Sequence, residues 1–128
     1  MFGKNKKGKI IKVCHYEGIE NFMQDYHCEI QLKEGVFEIK RIKPETIVSL
    51  PVERIIKFET MSEVQFMGKY HNCTIAENKK IPKTYLVVTY KAKDETIKYI
   101  AFWGVMSDAI KLIDLAYKNV KETESYSL

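Results

Sequence analysis

The chain has 128 residues, the length of one typical domain, and its 45% hydrophobic and 30% charged residues are the composition of a globular protein with a single core. Only six glycines and three prolines are present, which argues against long disordered stretches. No apolar run reaches the ~18–20 residues that span a bilayer, and no secretory apolar segment follows the basic N-terminus.

The three cysteines are odd in number and widely spaced, at Cys14, Cys28 and Cys73. This pattern argues against a disulfide framework and favours a reducing compartment. We therefore expect a cytoplasmic protein, with peripheral attachment at the inner membrane face as a further option.

The positive charge is concentrated near the N-terminus. The formal net charge is +4, and residues 1–12 contain no acidic residue but five lysines: Lys4, Lys6, Lys7, Lys9 and Lys12. These are five of the 21 basic residues, so the rest of the chain, with 17 acidic residues, is nearly neutral. Arginine occurs only at Arg41 and Arg54, which leaves few candidates for bidentate readout of bases or phosphates. Specific nucleic-acid recognition is therefore not expected.

An alternation of apolar and polar side chains predicts strands along most of the chain. Residues 1–9 are predicted to be a flexible basic arm, residues 10–120 the folded domain and residues 121–128 a polar tail. Residues 64–67 extend the fifth strand or begin another, and residues 68–82 are predicted to be a loop or a distorted strand. The predicted strands are, in chain order, residues 10–16, 26–32, 36–42, 46–50, 55–60, 84–91 and 95–103.

One helix is predicted at the end of the domain. Ser107 or Asp108 can cap it by accepting backbone N–H bonds. The apolar residues that follow recur at i, i+4, i+7, i+8 and i+11, as in an amphipathic helix: Ala109, Ile113, Ala116, Tyr117 and Val120. This stripe is expected to pack against the open mouth or face of a curved antiparallel sheet.

Four stretches carry a pattern of strand ends, turns and apolar positions that extends over nearly the whole predicted domain. They are Val13–Ile19, Cys28–Leu32, Leu50–Ile55 and Tyr99–Phe102. In this order of strands, with one helix last, the chain resembles the single-domain bacterial pleckstrin-homology-like (PH-like) or GRAM-like proteins. The resemblance implies a mainly β fold, a PH-like barrel of about seven antiparallel strands capped by one C-terminal helix. It also implies binding or assembly work, often at membranes, with no catalysis. No cofactor is expected.

The charge of the connection between the first two predicted strands differs from that in the phosphoinositide-binding members of this family. Phosphoinositide-binding members carry a Lys/Arg cluster there, whereas this chain has Glu17, Glu20 and Asp25. Phosphoinositide recognition by the usual site is therefore not expected.

A histidine lies close to each cysteine, which raises the question of zinc, since thiolate and imidazole are zinc ligands. Adjacent strand residues point to opposite faces, so only His71 and Cys73 could share one side, and no Cys-x-x-Cys is present. We expect buried cysteines that behave as small hydrophobes, an outward His27, no metal site and no catalytic residue.

Two groups of residues are candidates for contact with a partner. Phe22 and Met23 are an apolar pair in a polar connection, and they form either a contact loop or a segment folded back into the core. The lysine arm and a second basic group could form one surface for anion binding: Lys4, Lys6, Lys7, Lys9, Lys79, Lys80 and Lys83. The alternative for these lysines is a solvated surface.

Three functions stay open at this level. The first is a non-catalytic PH-like binding or scaffolding module that engages a protein partner or an anionic membrane surface, with homo-oligomers through uncovered sheet edges left open. The second is non-specific binding of nucleic acid or another polyanion by the lysine arm. The third is a small-ligand barrel or enzyme with an internal pocket near Trp103.

Overall fold

The computed structural model describes residues 10–76, 80–105 and 109–116. A 3₁₀ turn spans Val52–Arg54, helix α1 spans Glu63–His71, and residues 109–116 form helix α2. The strands within these residues are β1 (Ile11–Glu17), β2 (Tyr26–Lys33), β3 (Val36–Arg41), β4 (Thr46–Pro51), β5 (Ile55–Ser62), β6 (Thr84–Lys91) and β7 (Ile97–Gly104). The predicted basic arm and polar tail lie outside the described residues.

The described strands form one antiparallel sheet in the order β4-β3-β2-β1-β7-β6-β5. The central strand β1 pairs with β2 through Val13 opposite Cys28, and with β7 through Cys14 opposite Trp103. The mainly β, seven-stranded antiparallel prediction is therefore confirmed.

The expected closed barrel is wrong. β4 and β5 follow each other in the chain, yet they are the two edges of the sheet, and the described sheet remains open between them. Pro51 ends β4 without an N–H to offer to a neighbouring strand, and the 3₁₀ turn then redirects the chain before β5 begins.

The main core lies on the inner face of the sheet. Phe37, Ile39 and Phe102 are fully buried there, and Leu112 and Ala116 of α2 pack onto the same cluster. Because α2 covers this face, burial of its apolar side holds it against the sheet. The prediction that a C-terminal helix packs on the sheet is confirmed for the described turns of the helix.

The stripe predicted for that helix is partly wrong. Leu112 is fully buried, whereas Ile113 is 49% exposed. Neighbouring helical residues are ~100° apart around the axis, so a stripe chosen one residue away points the wrong side of the helix inward. Tyr117 and Val120 lie outside the described residues.

Helix α1 was not predicted from the sequence, and it corrects the expectation of one helix and of a strand or loop in this region. Ser62 caps it: the Ser62 Oγ accepts from the Gln65 N–H at 3.2 Å, and the Gln65 Oε1 accepts from the Ser62 N–H at 2.9 Å. Asn72 ends it in the left-handed conformation at φ 51°. The caps at its two ends therefore favour a helix here, although the nine residues show only a weak helical pattern of apolar side chains.

Helix α1 covers part of the outer face of the sheet, where it forms a second core. The fully buried Phe66 stacks on Tyr85 with ring centroids 4.5 Å apart, and Tyr16 meets Phe66 edge-on at 5.5 Å. Val87 and Ala101 complete the buried part of this cluster. Among the described residues, one helix therefore packs against each face of the sheet.

Candidate functional site

The sheet register brings the beginnings of two strands to one end of the molecule. β1 and β6 both pair antiparallel with β7, so they run in the same direction, and Cys14, Trp103 and Tyr85 share one row. The ends where β1 and β6 begin and β7 finishes are called here the β1/β6 end. The predicted lysine arm precedes β1, and the second basic group precedes β6. The topology thus places the start of β1 and the start of β6 at the same end of the sheet.

The described part of the predicted anion-binding surface is small. Lys4, Lys6, Lys7, Lys9 and Lys79 lie outside the described residues, while Lys80 and Lys83 are within them. The Lys83 ammonium lies 4.3 Å from the ring centroid of Trp103 and 3.8 Å from the Glu63 carboxylate. Lys83 therefore already contacts an aromatic ring of β7 and a carboxylate of α1, and these contacts connect the start of β6 to both elements.

Apolar side chains accompany these lysines. Ile10 is 52% exposed just before β1, Ile81 is 55% exposed shortly before β6, and Val105 is 36% exposed just after β7. A surface that combines lysines with exposed aliphatic side chains suits a boundary between water and an apolar phase.

The structure separates the two residues of the predicted contact loop. Phe22 is buried: its ring lies 5.5 Å from the His15 ring, and the Arg41 guanidinium stands 5.0 Å above it. Met23 is 68% exposed. Phe22 therefore belongs to the core, and Met23 is the member of the pair that can contact a partner.

A buried histidine holds this connection in place. The Ile19 N–H donates to the Nε2 of His15 at 3.2 Å, and the Nδ1 of His15 lies 3.1 Å from the Met23 carbonyl oxygen. One nitrogen accepts and the other donates, which requires neutral imidazole. Burial lowers the pKa of His15, against smaller opposing effects of the Met23 carbonyl and Glu17.

An outer-face pocket of about 410 Å³ lies across β2, β1 and β7. Its wall includes Trp103 and the cross-strand pair of Cys14 and His27, with 3.9 Å between Sγ and Nδ1. Burial raises the pKa of Cys14, and the nearby Asp25 carboxylate adds to the rise. Because the thiolate is the nucleophile, this thiol is poorly suited to covalent catalysis.

The other two cysteines differ from each other, and the expectation of a buried cysteine is confirmed for Cys28 and wrong for Cys73. Cys28 is buried on the inner face, and burial raises its pKa to about 11. Cys73 is exposed, and the His71 that could have joined it lies 2.8 Å from the Glu17 carboxylate instead. Among the residues that the structure describes, no group of three His, Cys, Asp or Glu side chains is placed to hold a metal.

A polar network binds α1 to the sheet. The Tyr99 hydroxyl donates to Glu17, and the Tyr70 hydroxyl donates to Glu59 at 2.6 Å. Burial alone would raise the pKa of Glu59, but hydrogen bonds from Lys69 and Tyr70 together outweigh it and lower the pKa. Burial and the neighbouring carboxylates raise the pKa of both tyrosines. These groups stabilise each other and have a structural role.

A second concave site, the edge groove, has a volume of about 330 Å³ and lies where β4 leads over to β5. Its walls come from β4, the 3₁₀ turn, the connection after β1 and the β6–β7 hairpin. Apolar side chains dominate the lining: Ile19, Val48, Leu50, Tyr90 and Ile100. Arg54, Lys93 and Glu20 are its charged members.

One glycine allows the wall of the edge groove to form. Gly18 has φ +113°, and a Cβ at this position would lie 2.5 Å from the Tyr99 carbonyl oxygen. Only glycine tolerates both this backbone conformation and this close approach to β7. No local sequence pattern predicts the groove, because Arg54 and Lys93 are 39 positions apart in the chain; the Leu50-Pro51 step is the one local signal near it.

The comparisons with known proteins found no family model and no curated protein that matches this chain. Over the ranges 10–76, 80–105 and 109–116, no helix has the length and apolar character to cross a membrane.

Proposed function

We propose that this chain is a non-catalytic binding module of the PH-like type that attaches to an anionic lipid surface through its β1/β6 end. The observation that carries the proposal is the register of β1, β7 and β6, which brings the starts of β1 and β6 to the same end of the sheet. In the sequence, a lysine-rich segment precedes each of these two strands.

The exposed aliphatic side chains at this end favour a lipid surface over a purely polar polyanion. Ile10, Ile81 and Val105 offer apolar area for the interface, while the lysines face anionic headgroups. A lysine close to an anionic leaflet contributes about 1 kcal/mol. Several lysines and a few aliphatic side chains together give reversible, salt-sensitive attachment.

The chemistry of the described side chains supports binding over catalysis. Burial raises the pKa of the Cys14 and Cys28 thiols, which disfavours their nucleophilic forms. His15 is committed to two backbone partners and His71 to Glu17. The strand order and the helix packed on the inner face support the PH-like assignment.

The experiment is co-sedimentation with vesicles of phosphatidylcholine that contain phosphatidylserine or lack it, at low and high salt. The full chain is compared with a chain that begins at Ile10. We expect the full chain to bind only the anionic vesicles at low salt, and the shortened chain to lose most of this binding, because it lacks four of the lysines.

A matched pair of substitutions tests the apolar contribution. Ile81→Ser lies at the β1/β6 end, and Ile97→Ser lies at the opposite end of β7 with a similar exposure of 59%. We expect Ile81→Ser to weaken vesicle binding and Ile97→Ser to leave it unchanged. Binding of a short DNA duplex as strong as that of anionic vesicles, with no effect of Ile81→Ser, would replace this proposal with polyanion binding. Equal binding by both chain lengths would contradict it.

A further inference from the structure

We propose that the edge groove binds a single-chain amphiphile, a straight aliphatic chain that ends in one carboxylate. The site is separate from the β1/β6 end and does not rest on the proposed attachment to lipid surfaces. Its lining comes entirely from described residues.

The floor of the edge groove is part of the main core. Leu50 and Ile100 are 7% and 3% exposed, and both belong to the inner hydrophobic cluster. Ile19, Val48 and Tyr90 are partly buried and pack against the same cluster. An aliphatic chain placed here would therefore extend the core through the opening between β4 and β5, and its burial would remove apolar surface from water.

The size of the groove suits a short chain. Its volume is about 330 Å³. This is at the lower end of the roughly 300–1,000 Å³ of small-ligand pockets. Decanoate is of this size if its carboxylate remains at the mouth.

Two cations and one carboxylate line the groove. The Arg54 Nη1 donates to the Lys91 carbonyl oxygen at 3.2 Å, which holds the guanidinium near the β6–β7 hairpin, and Lys93 follows two residues later. Glu20 is the acidic lining residue. The excess of one positive charge matches a monocarboxylate, whereas a polyphosphate headgroup would need more cations. Arginine also suits a carboxylate, because its planar donors form charge-assisted hydrogen bonds.

The test is a titration of the full chain with decanoate, below its micelle concentration, followed by calorimetry and by backbone amide chemical shifts. Acetate is the control for the carboxylate without the aliphatic chain, and decanol is the control for the aliphatic chain without the carboxylate. We expect decanoate to bind more tightly than either, with shifts confined to residues near 18–20, 48–54 and 90–93. Failure of decanoate to bind at millimolar concentration would overturn the proposal.

Variants separate the contributions of the head and the tail. Arg54→Gln should weaken decanoate binding about tenfold, the effect of about 1.4 kcal/mol, and leave decanol unchanged. Glu20→Gln should strengthen decanoate binding, and Ala92→Phe should fill the groove and prevent it. Lys98→Gln, on β7 outside the groove lining, is the control and should behave as the unaltered chain.

Two results would contradict the site itself. Trp103 is the single tryptophan and lines the outer-face pocket, so a change in its fluorescence with decanoate, together with shifts at Cys14 and His27, would place the ligand there. Equal affinity of Arg54→Gln and the unaltered chain would show that the guanidinium does not hold the carboxylate. Because the lysine arm is not part of this site, a chain that begins at Ile10 should bind decanoate normally even if vesicle binding is lost.

Discussion

At the scale of single residues, His15 shows how a buried polar group organises a connection. Its side chain is 1% exposed, yet both ring nitrogens have backbone partners in the segment between β1 and β2. The described residues contain no buried side-chain nitrogen or oxygen without a hydrogen-bond partner. The arrangement stabilises the fold only while the imidazole is neutral.

We therefore predict an acid-dependent loss of stability. Burial lowers the folded-state pKa of His15 below its usual value near 6.5, so its contribution is complete above pH ~6.5 and decreases as the pH falls below that value toward the folded pKa. His15→Gln should cost about 1–3 kcal/mol at pH 7.5 and should show a smaller further loss at pH 5.5. Urea unfolding at the two pH values measures both effects.

The control for this prediction is His27→Gln, which removes an exposed histidine from the neighbouring strand. This variant retains His15 and should lose stability between pH 7.5 and 5.5 as the unaltered chain does. If His15→Gln shows the same loss as the unaltered chain, the titration of His15 does not explain it.

At the scale of elements, α1 combines a weak apolar pattern with well-formed ends and one anchoring ring. Phe66 is its one buried residue, and it lies between Tyr85, Tyr16 and Tyr70. Isolated helices of nine residues are marginal, so tertiary burial rather than propensity must hold this one.

This interpretation predicts unequal effects of two substitutions in and beside α1. Phe66→Ala should destabilise the protein by about 3–5 kcal/mol, because it removes a fully buried ring. Ser62→Ala should cost about 1 kcal/mol, because it removes one cap. Urea unfolding followed by far-ultraviolet circular dichroism gives both values. A loss for Ser62→Ala as large as that for Phe66→Ala would contradict the conclusion that burial of the ring dominates the stability of the helix.

At the scale of the whole molecule, α2 decides how the open sheet is covered. The inner face of the sheet would be exposed between its separated edges without Leu112 and Ala116. The same helix carries Ile113 on its solvent side.

Two alanine substitutions test this orientation. Leu112→Ala should cost about 2–5 kcal/mol, whereas Ile113→Ala should change stability by less than about 0.5 kcal/mol. Thermal and urea unfolding distinguish the two. A larger loss for Ile113→Ala would support the stripe predicted from the sequence and contradict the packing described here.

Sequence patterns among neighbouring residues determine much of this fold. Alternating side chains determined most of the strands, the hairpin from Thr84 to Gly104, the buried Cys14 and Cys28 and the packing of a terminal helix on the sheet. These features depend on neighbours within a few positions, where period and turn chemistry are decisive.

Only the tertiary structure decided the features that join distant residues. The buried side of α2, the burial of Phe22 without Met23, and the opening between β4 and β5 all depend on packing against other elements. The same holds for the position of the β1 and β6 starts at one end of the sheet and for Arg54 and Lys93 lining one groove. The sequence by itself determined which segments form strands and where the charge lies along the chain. The register of the sheet decided which of these segments became neighbours, because hydrogen-bonded pairing links positions whose separation in sequence carries no local signal.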